Sequence, residues 1–120
     1  VHPQNRIVEG IEQSIVQNYA NANYELDEVL RSMPYSYDYL CKLFRKEVGM
    51  TPNRYLANIR MQTAAEMLSS GHNEGNITDI AHLCGFRDPL YFSRMFKKKY
   101  NVSPKEYYRQ KLQERQGVQG

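Results

Sequence analysis

The chain has 120 residues, of which 41% are hydrophobic and 24% are charged, with a formal net charge of +3. This length suits one domain or two small subdomains, and the composition excludes a fully disordered chain. No apolar run approaches the roughly 20 residues that span a bilayer, and no signal-peptide pattern is present. We therefore expect a soluble, cytoplasmic protein. Since the chain opens at Val1 without an initiator methionine, we also expect it to be part of a longer protein.

Helical periodicity and capping residues divide the chain into seven predicted helices, and no strand-like alternation persists. Their approximate ranges are 4–21, 26–32, 36–47, 52–69, 77–84, 88–99 and 104–113. Gly49 and Asn101 are predicted to end helices, because both residue types tolerate a left-handed backbone. Ser36 and Asp88 are predicted N-caps. The last residues, 114–120, are predicted to form a disordered tail.

A sequence phrase occurs twice in this chain, 52 residues apart, at 39–55 and 91–107. Each copy contains a basic amphipathic helix, a residue predicted to end it, and the predicted start of the next helix. That start is Thr51-Pro52 in the first copy and Ser103-Pro104 in the second. A shorter helix precedes each copy, which produces the order typical of a helix-turn-helix. We therefore predict an all-α fold with two helix-turn-helix subdomains, at 1–50 and 71–113, joined by a linker helix at 51–70.

Positive charge is concentrated in the second copy. From Arg87 to Lys111 there are eight basic residues against two acidic ones, whereas residues 1–60 carry seven of each sign. A local excess of this kind favours a polyanionic partner, and duplex DNA is such a partner that also repeats along its length.

Residues 77–107 resemble the AraC/XylS family of bacterial transcription regulators. The resemblance rests on Ile-x-x-Ile-Ala at 77–81, Gly-Phe at 85–86, Tyr-Phe-x-Arg-x-Phe-Lys at 91–97 and the Ser-Pro pair at 103–104. It extends over about residues 6–110. It implies the C-terminal DNA-binding domain of such a regulator, with homeodomain-like subdomains. The departures are Asn101 for a usual glycine, Tyr108 for a frequent arginine, Leu30 for a small alanine and Met33-Pro34-Tyr35 for a glycine-bearing turn.

The two basic helices, about 36–47 and 88–99, are the predicted recognition helices, since an α-helix fits the major groove of DNA. Removing the positions that face the core leaves ten candidates for base contacts. These are Tyr37, Asp38, Cys41, Lys42 and Arg45 in the first helix and Pro89, Leu90, Ser93, Arg94 and Lys97 in the second. Arg94 is favoured because a guanidinium can bind guanine O6 and N7 together, and Lys42 is its counterpart. Asp38 either accepts from cytosine or favours its helix N-terminus. Leu90 either meets a thymine methyl or is an ordinary surface leucine.

Five further cations are candidates for phosphate contacts, although a solvated surface position remains an alternative for each. They are Lys46, Arg54, Lys98, Lys99 and Lys105. The helix predicted between the two subdomains would be a rod of roughly 27 Å. We therefore expect the recognition helices to enter successive major-groove segments, whose repeat is about 34 Å.

The sequence is also compatible with other roles and partners. The main alternative is a helix-turn-helix module that contacts the transcription machinery, such as RNA polymerase, without reading bases. An enzyme is the weakest option, because no nucleophile–base pair, phosphate-binding glycine loop or cluster of metal ligands is evident. We expect no cofactor and no metal, and Cys41 and Cys84 to be reduced thiols. The fragment is expected to be monomeric, with a parent protein that dimerises through an upstream region.

Overall fold

The computed structural model describes residues 3–117, and within that range the protein is entirely helical. The seven α-helices are α1 (Pro3–Asn18), α2 (Leu26–Arg31), α3 (Tyr37–Val48), α4 (Pro52–Ser70), α5 (Ile77–Leu83), α6 (Pro89–Tyr100) and α7 (Pro104–Gly117). A short 3-10 turn, His72–Gly75, precedes α5. The predicted all-α class is confirmed. None of these helices is long and apolar enough to cross a lipid bilayer.

Side-chain caps start the helices where the sequence predicted them. Ser36 Oγ accepts from the backbone N–H of Tyr39 at 3.1 Å, and Asp88 Oδ1 accepts from that of Leu90 at 2.9 Å. Thr51 caps α4 in the same way, with an N–H to hydroxyl distance of 3.3 Å. Each cap satisfies an N–H that has no partner inside its own helix.

The two predicted recognition helices, α3 and α6, end with the same backbone conformation. Gly49 follows α3 with φ 94° and Asn101 follows α6 with φ 68°, so both predicted left-handed positions are confirmed. In each case the N–H of this residue donates to the carbonyl four residues earlier, at 2.8 Å. Only glycine and, less often, asparagine adopt this conformation at little cost.

The first compact unit comprises the described residues up to Tyr19 together with Asn23–Ile59. Its core is aliphatic apart from one phenylalanine, and it consists of Val8, Ile11, Ile15, Leu26, Leu30, Leu40, Leu43, Phe44 and Leu56. Phe44 packs edge-to-face against Tyr55, with ring centroids 5.4 Å apart. This core holds α3 against α1 and α2 and leaves the opposite side of α3 exposed.

The second compact unit comprises Ala20–Ala22 and the described residues from Arg60 onward. Its core consists of Met61, Ala64, Ala65, Leu68, Ile80, Ala81, Cys84, Phe86, Phe92 and Phe96. Phe96 and Tyr107, the equivalents of Phe44 and Tyr55, form the same edge-to-face pair at 5.2 Å. Tyr55 and Tyr107, which recur 52 residues apart, therefore serve packing, whereas Tyr39 and Tyr91, which recur in the same way, are exposed. Because α4 contributes to both cores, the subdomain boundaries at 50 and 71 remain predictions.

Two helix ends differ from the prediction. The first helix ends at Asn18, not near residue 21, and beyond its end the carbonyls of Asn21 and Ala22 accept hydrogen bonds from Arg60 (3.2 Å) and Arg87 (2.9 Å). The last helix continues past Gln113 to Gly117, so residues 114–117 are helical and not part of a disordered tail. An ion pair between Lys111 and Glu114, at 3.5 Å, joins the start of this stretch to the preceding turn. Residues 118–120 of the predicted tail lie outside the described range.

Candidate nucleic-acid interface

The exposed side of α3 is divided into an outer stripe and a flank. Asp38, Lys42 and Arg45 are exposed and follow the i, i+4, i+7 spacing that places residues on one face of a helix. Tyr37 and Cys41 are only half exposed and lie nearer the buried side. Thus the five candidates from the first helix are all accessible, but three of them form the outermost row.

The exposed side of α6 has the same division. Leu90, Arg94 and Lys97 are exposed at the same i, i+4, i+7 spacing, and each lies 52 residues after its counterpart in α3. Pro89 and Ser93 are half exposed on the flank. The structure therefore brings the ten candidates into two matching sets, one in each unit. Their direct contact with bases stays a prediction.

The two outer stripes differ in how their charges are balanced. Lys42 Nζ lies 3.0 Å from Asp38 Oδ2, and both side chains are more than three quarters exposed. By contrast, the charged groups of Arg94, Lys97 and Lys98 have no hydrogen-bond or ion-pair partner among the described residues. The positive charge of α6 is therefore available to an anionic partner, whereas that of Lys42 is partly compensated.

The candidate phosphate ligands are all exposed. Lys46 and the lysines at 98 and 99 lie in the last turns of α3 and α6, where cations also complement the helix dipole. Arg54 and Lys105 lie in the first turns of α4 and α7. The ammonium of Lys99 is 5.6 Å from the centroid of the Tyr100 ring. These positions suit phosphate contacts, which remain predictions.

A polar network that was not predicted from the sequence surrounds the hydroxyl of Tyr37. This hydroxyl donates to Asp27 Oδ1 at 2.9 Å, and Asn53 Nδ2 donates to both the hydroxyl and Asp27 Oδ1 at 3.1 Å. The guanidinium of Arg31 lies 4.5 Å from the centroid of the Tyr37 ring. The hydrogen bonds from Asn53 and Tyr37 lower the pKa of Asp27, and the bond to Asp27 raises the pKa of Tyr37.

The cysteines occupy different environments. Cys84 is fully buried, and burial raises the pKa of its thiol to about 11. Cys41 is half-buried on the flank of α3. Among the described residues, no group of three or more His, Cys, Asp or Glu side chains is arranged to hold a metal ion.

Comparisons with known proteins agree with this architecture. A family model described as a helix-turn-helix domain matches residues 29–110. The chain is 36% identical over 94 residues to the lactose operon transcription activator of Staphylococcus xylosus, covering 75% of the chain and 33% of that protein. It is 36% identical over 80 residues to the transcriptional activator RhaS of Escherichia coli, covering 67% and 28%. The chain thus spans about a third of the length of these relatives.

Solved structures show the same fold. The C-terminal domain of AraT, a response regulator from Geobacillus stearothermophilus, superposes with a TM-score of 0.77 at 34% identity, covering 87% of this chain and 84% of that one. The C-terminal domain of the response regulator yesN from Fusobacterium nucleatum superposes with a TM-score of 0.73 at 31% identity, covering 83% and 95%.

Two helix-turn-helix units, each with an exposed basic helix, define a DNA-binding protein of the transcription-regulator class. The chain belongs to the AraC-type helix-turn-helix family of transcription regulators. The resemblance noted in the sequence is therefore confirmed.

Proposed function

We propose that α3 and α6 are the recognition helices of a sequence-specific domain that binds double-stranded DNA, each entering its own segment of the major groove of one duplex. The observation that carries this proposal is the pair of matching outer stripes, which are exposed, equally spaced and placed on the longer helix of each helix-turn-helix. An α-helix fits the major groove, where every base pair presents a distinct pattern of donors and acceptors.

The two stripes have different chemistry, and so the bound site is asymmetric. The stripe of α3 presents a carboxylate, an ammonium and a guanidinium, whereas that of α6 presents an aliphatic side chain, a guanidinium and an ammonium. Arg94 is the strongest base reader, because its unpaired guanidinium can donate two hydrogen bonds to one guanine. The Asp38–Lys42 pair can serve a C·G pair, the carboxylate accepting from cytosine and the ammonium donating to guanine.

Phosphate contacts supply the affinity that does not depend on sequence. Lys46, Arg54, Lys98, Lys99 and Lys105 surround the recognition helices at helix termini and are the cations available for this purpose. If all five neutralise phosphates, the logarithm of the association constant falls with the logarithm of salt concentration with a slope of about −4.5.

The chain would act by binding and not by catalysis, as a monomeric domain of a longer, dimeric regulator in the cytoplasm, where its DNA partner lies. The second candidate function is a module that contacts RNA polymerase without reading bases. The exposed Leu90 and Tyr91 at the start of α6 would then belong to a protein interface.

Selection of bound duplexes from a random pool, followed by titration of point variants, tests the proposal. Arg94→Ala is expected to cost about 1–3 kcal/mol on the selected duplex and to relax the preference at one base pair. Lys105→Ala is expected to weaken binding to every duplex equally and to reduce the salt slope by about 1. Arg6→Ala removes the same charge from the exposed side of α1 and serves as the control.

Two results would contradict the proposal. Equal affinity of the unchanged protein for all duplexes would exclude sequence-specific binding. Unchanged DNA affinity after the combined Arg94→Ala and Lys42→Ala substitutions would favour the module that contacts RNA polymerase.

A further inference from the structure

Tyr37 is the first residue of α3, and its hydroxyl joins the first turns of three helices. It donates to Asp27, the second residue of α2, and accepts from Asn53, the second residue of α4. Because Asn53 also donates to Asp27, the three side chains form a closed triangle with edges of 2.9, 3.1 and 3.1 Å. We name this triangle of Asp27, Tyr37 and Asn53 the α3 brace.

From the α3 brace we infer that Tyr37 is a positioning residue of the recognition helix and not one of its base readers. The inference rests on the proposed function. Asp27 and Asn53, which lie on other helices, would hold the start of α3 in its orientation through the Tyr37 hydroxyl. The outer stripe (Asp38, Lys42 and Arg45) then carries the base contacts of the first unit.

The hydrogen-bonding capacity of the Tyr37 hydroxyl supports this role. A phenol has one proton to donate, and that proton is directed at a carboxylate, which makes the bond charge-assisted and stronger than a neutral one. Its acceptor side is approached by the Asn53 amide. A phosphate oxygen or a base acceptor would have to displace Asp27 in order to receive the hydroxyl proton.

Electrostatics disfavour a phosphate at this hydroxyl in particular. The carboxylate of Asp27 is 2.9 Å away, and its lowered pKa keeps it ionised at neutral pH. Two like charges about 4 Å apart repel by roughly 1 kcal/mol in bulk water and more near a protein surface. The guanidinium of Arg31, 4.5 Å from the centroid of the Tyr37 ring, offsets part of this repulsion and also holds the ring in place through a cation–π contact.

The brace matters for base recognition because the side chains of α3 must be positioned precisely against the base edges. The hydrogen bonds that read base edges depend on positions held to about 0.5 Å. The core of the first unit holds the inner side of α3 through Leu40, Leu43 and Phe44, from the end of the first turn onward. The start of the first turn, which includes Asp38, is held by the packing of the Tyr37 ring against this core, by the brace and by the Ser36 cap.

The test compares Tyr37→Phe with Tyr39→Phe on the selected duplex. Tyr39 is the matched control, since it lies on the same helix and its hydroxyl has no hydrogen-bond partner among the described residues. Tyr37→Phe is expected to lower affinity by roughly 3- to 10-fold, the factor that one net hydrogen bond carries, while leaving the preferred base at every position unchanged. In an Asp27→Asn background the same substitution is expected to have less than half of that effect on a logarithmic scale, because the brace is already weakened.

A readout without DNA keeps this test separate from that of the proposed function. Amide hydrogen exchange in the first turn of α3 is expected to be faster in Tyr37→Phe than in Tyr39→Phe. If exchange does not differ, or if affinity is unchanged, Tyr37 does not position the helix. If Tyr37→Phe lowers affinity by the same factor in the Asp27→Asn background, or if it changes the preferred base, the hydroxyl contacts DNA directly. If the unchanged protein does not discriminate between duplexes, the proposed function fails, whatever the exchange data show.

Discussion

Substitution of Gly75 by alanine is expected to destabilise the second unit, for two separate reasons. Gly75 has φ +76°, a left-handed conformation that costs an alanine about 1–2 kcal/mol. A Cβ atom at this position would also lie 2.7 Å from Cγ and Cδ1 of Tyr108, inside the closest distance that such atoms adopt. Because these atoms belong to the inner part of the ring, the ring must move, and overpacking of this kind costs about 1–3 kcal/mol. The expected total is about 2–5 kcal/mol.

Two other glycines supply matched controls for the Gly75→Ala substitution. Gly49 is also left-handed, with φ +94°, but nothing lies within 4 Å of its hypothetical Cβ, so Gly49→Ala should show the backbone cost alone. Gly10 lies inside α1 and also has no neighbour within 4 Å, so Gly10→Ala should stabilise its helix by about 0.5–1 kcal/mol.

Urea unfolding followed by circular dichroism measures these three free energies, with each transition fitted separately if the units unfold apart. In a Tyr108→Ala background, the cost of Gly75→Ala should fall to that of Gly49→Ala, since only the backbone cost remains. Equal costs at Gly75 and Gly49 in the unaltered background would contradict this prediction, because the contact with the Tyr108 ring would then contribute nothing.

Two further predictions concern a buried thiol and an exposed leucine. Iodoacetamide at pH 8 should label Cys41 but not Cys84 in the folded protein, because burial raises the pKa of Cys84 from its ordinary value of 9.0 to about 11. The same shift places a loss of stability between pH 9.0 and about 11, where the unfolded chain releases this proton and the folded one retains it, and urea titrations across that range measure it. Mass spectrometry that finds both thiols labelled at one rate would contradict the assignment. Leu90, which is 75% exposed, should contact a thymine methyl, so that replacing that thymine by deoxyuridine lowers affinity about fourfold, the factor for one buried methyl group. This sensitivity should disappear in Leu90→Ala, and a uridine effect that survives the substitution would assign the methyl contact to another residue.

The sequence alone predicted most of the helix boundaries, because helix starts and stops depend on residues close together in the chain. Ser36 and Asp88 cap helices through N–H groups two or three positions away, and Gly49 and Asn101 end them by their own backbone conformation. Of the two boundaries that differed, the end of α7 carries a local ion pair between Lys111 and Glu114, whereas the backbone after α1 is bonded to residues far along the chain. Arg60 donates a hydrogen bond to the carbonyl of Asn21, which lies 39 residues before it in the chain and just beyond the end of the first helix.

The candidate site was likewise predicted in part from the sequence and decided in part by the tertiary structure. The 52-residue repeat and helical spacing alone indicated ten outward positions, since the side of a helix on which a residue lies follows from its periodicity. Only the tertiary structure separated the exposed positions of the outer stripes from the half-exposed positions of the flanks, because exposure depends on what packs beside each position. It also decided that the Tyr37 hydroxyl bonds to Asp27 and Asn53, residues 10 and 16 positions away in other helices. No local pattern encodes a hydrogen bond between side chains of different helices, since their distance is set by how the helices pack.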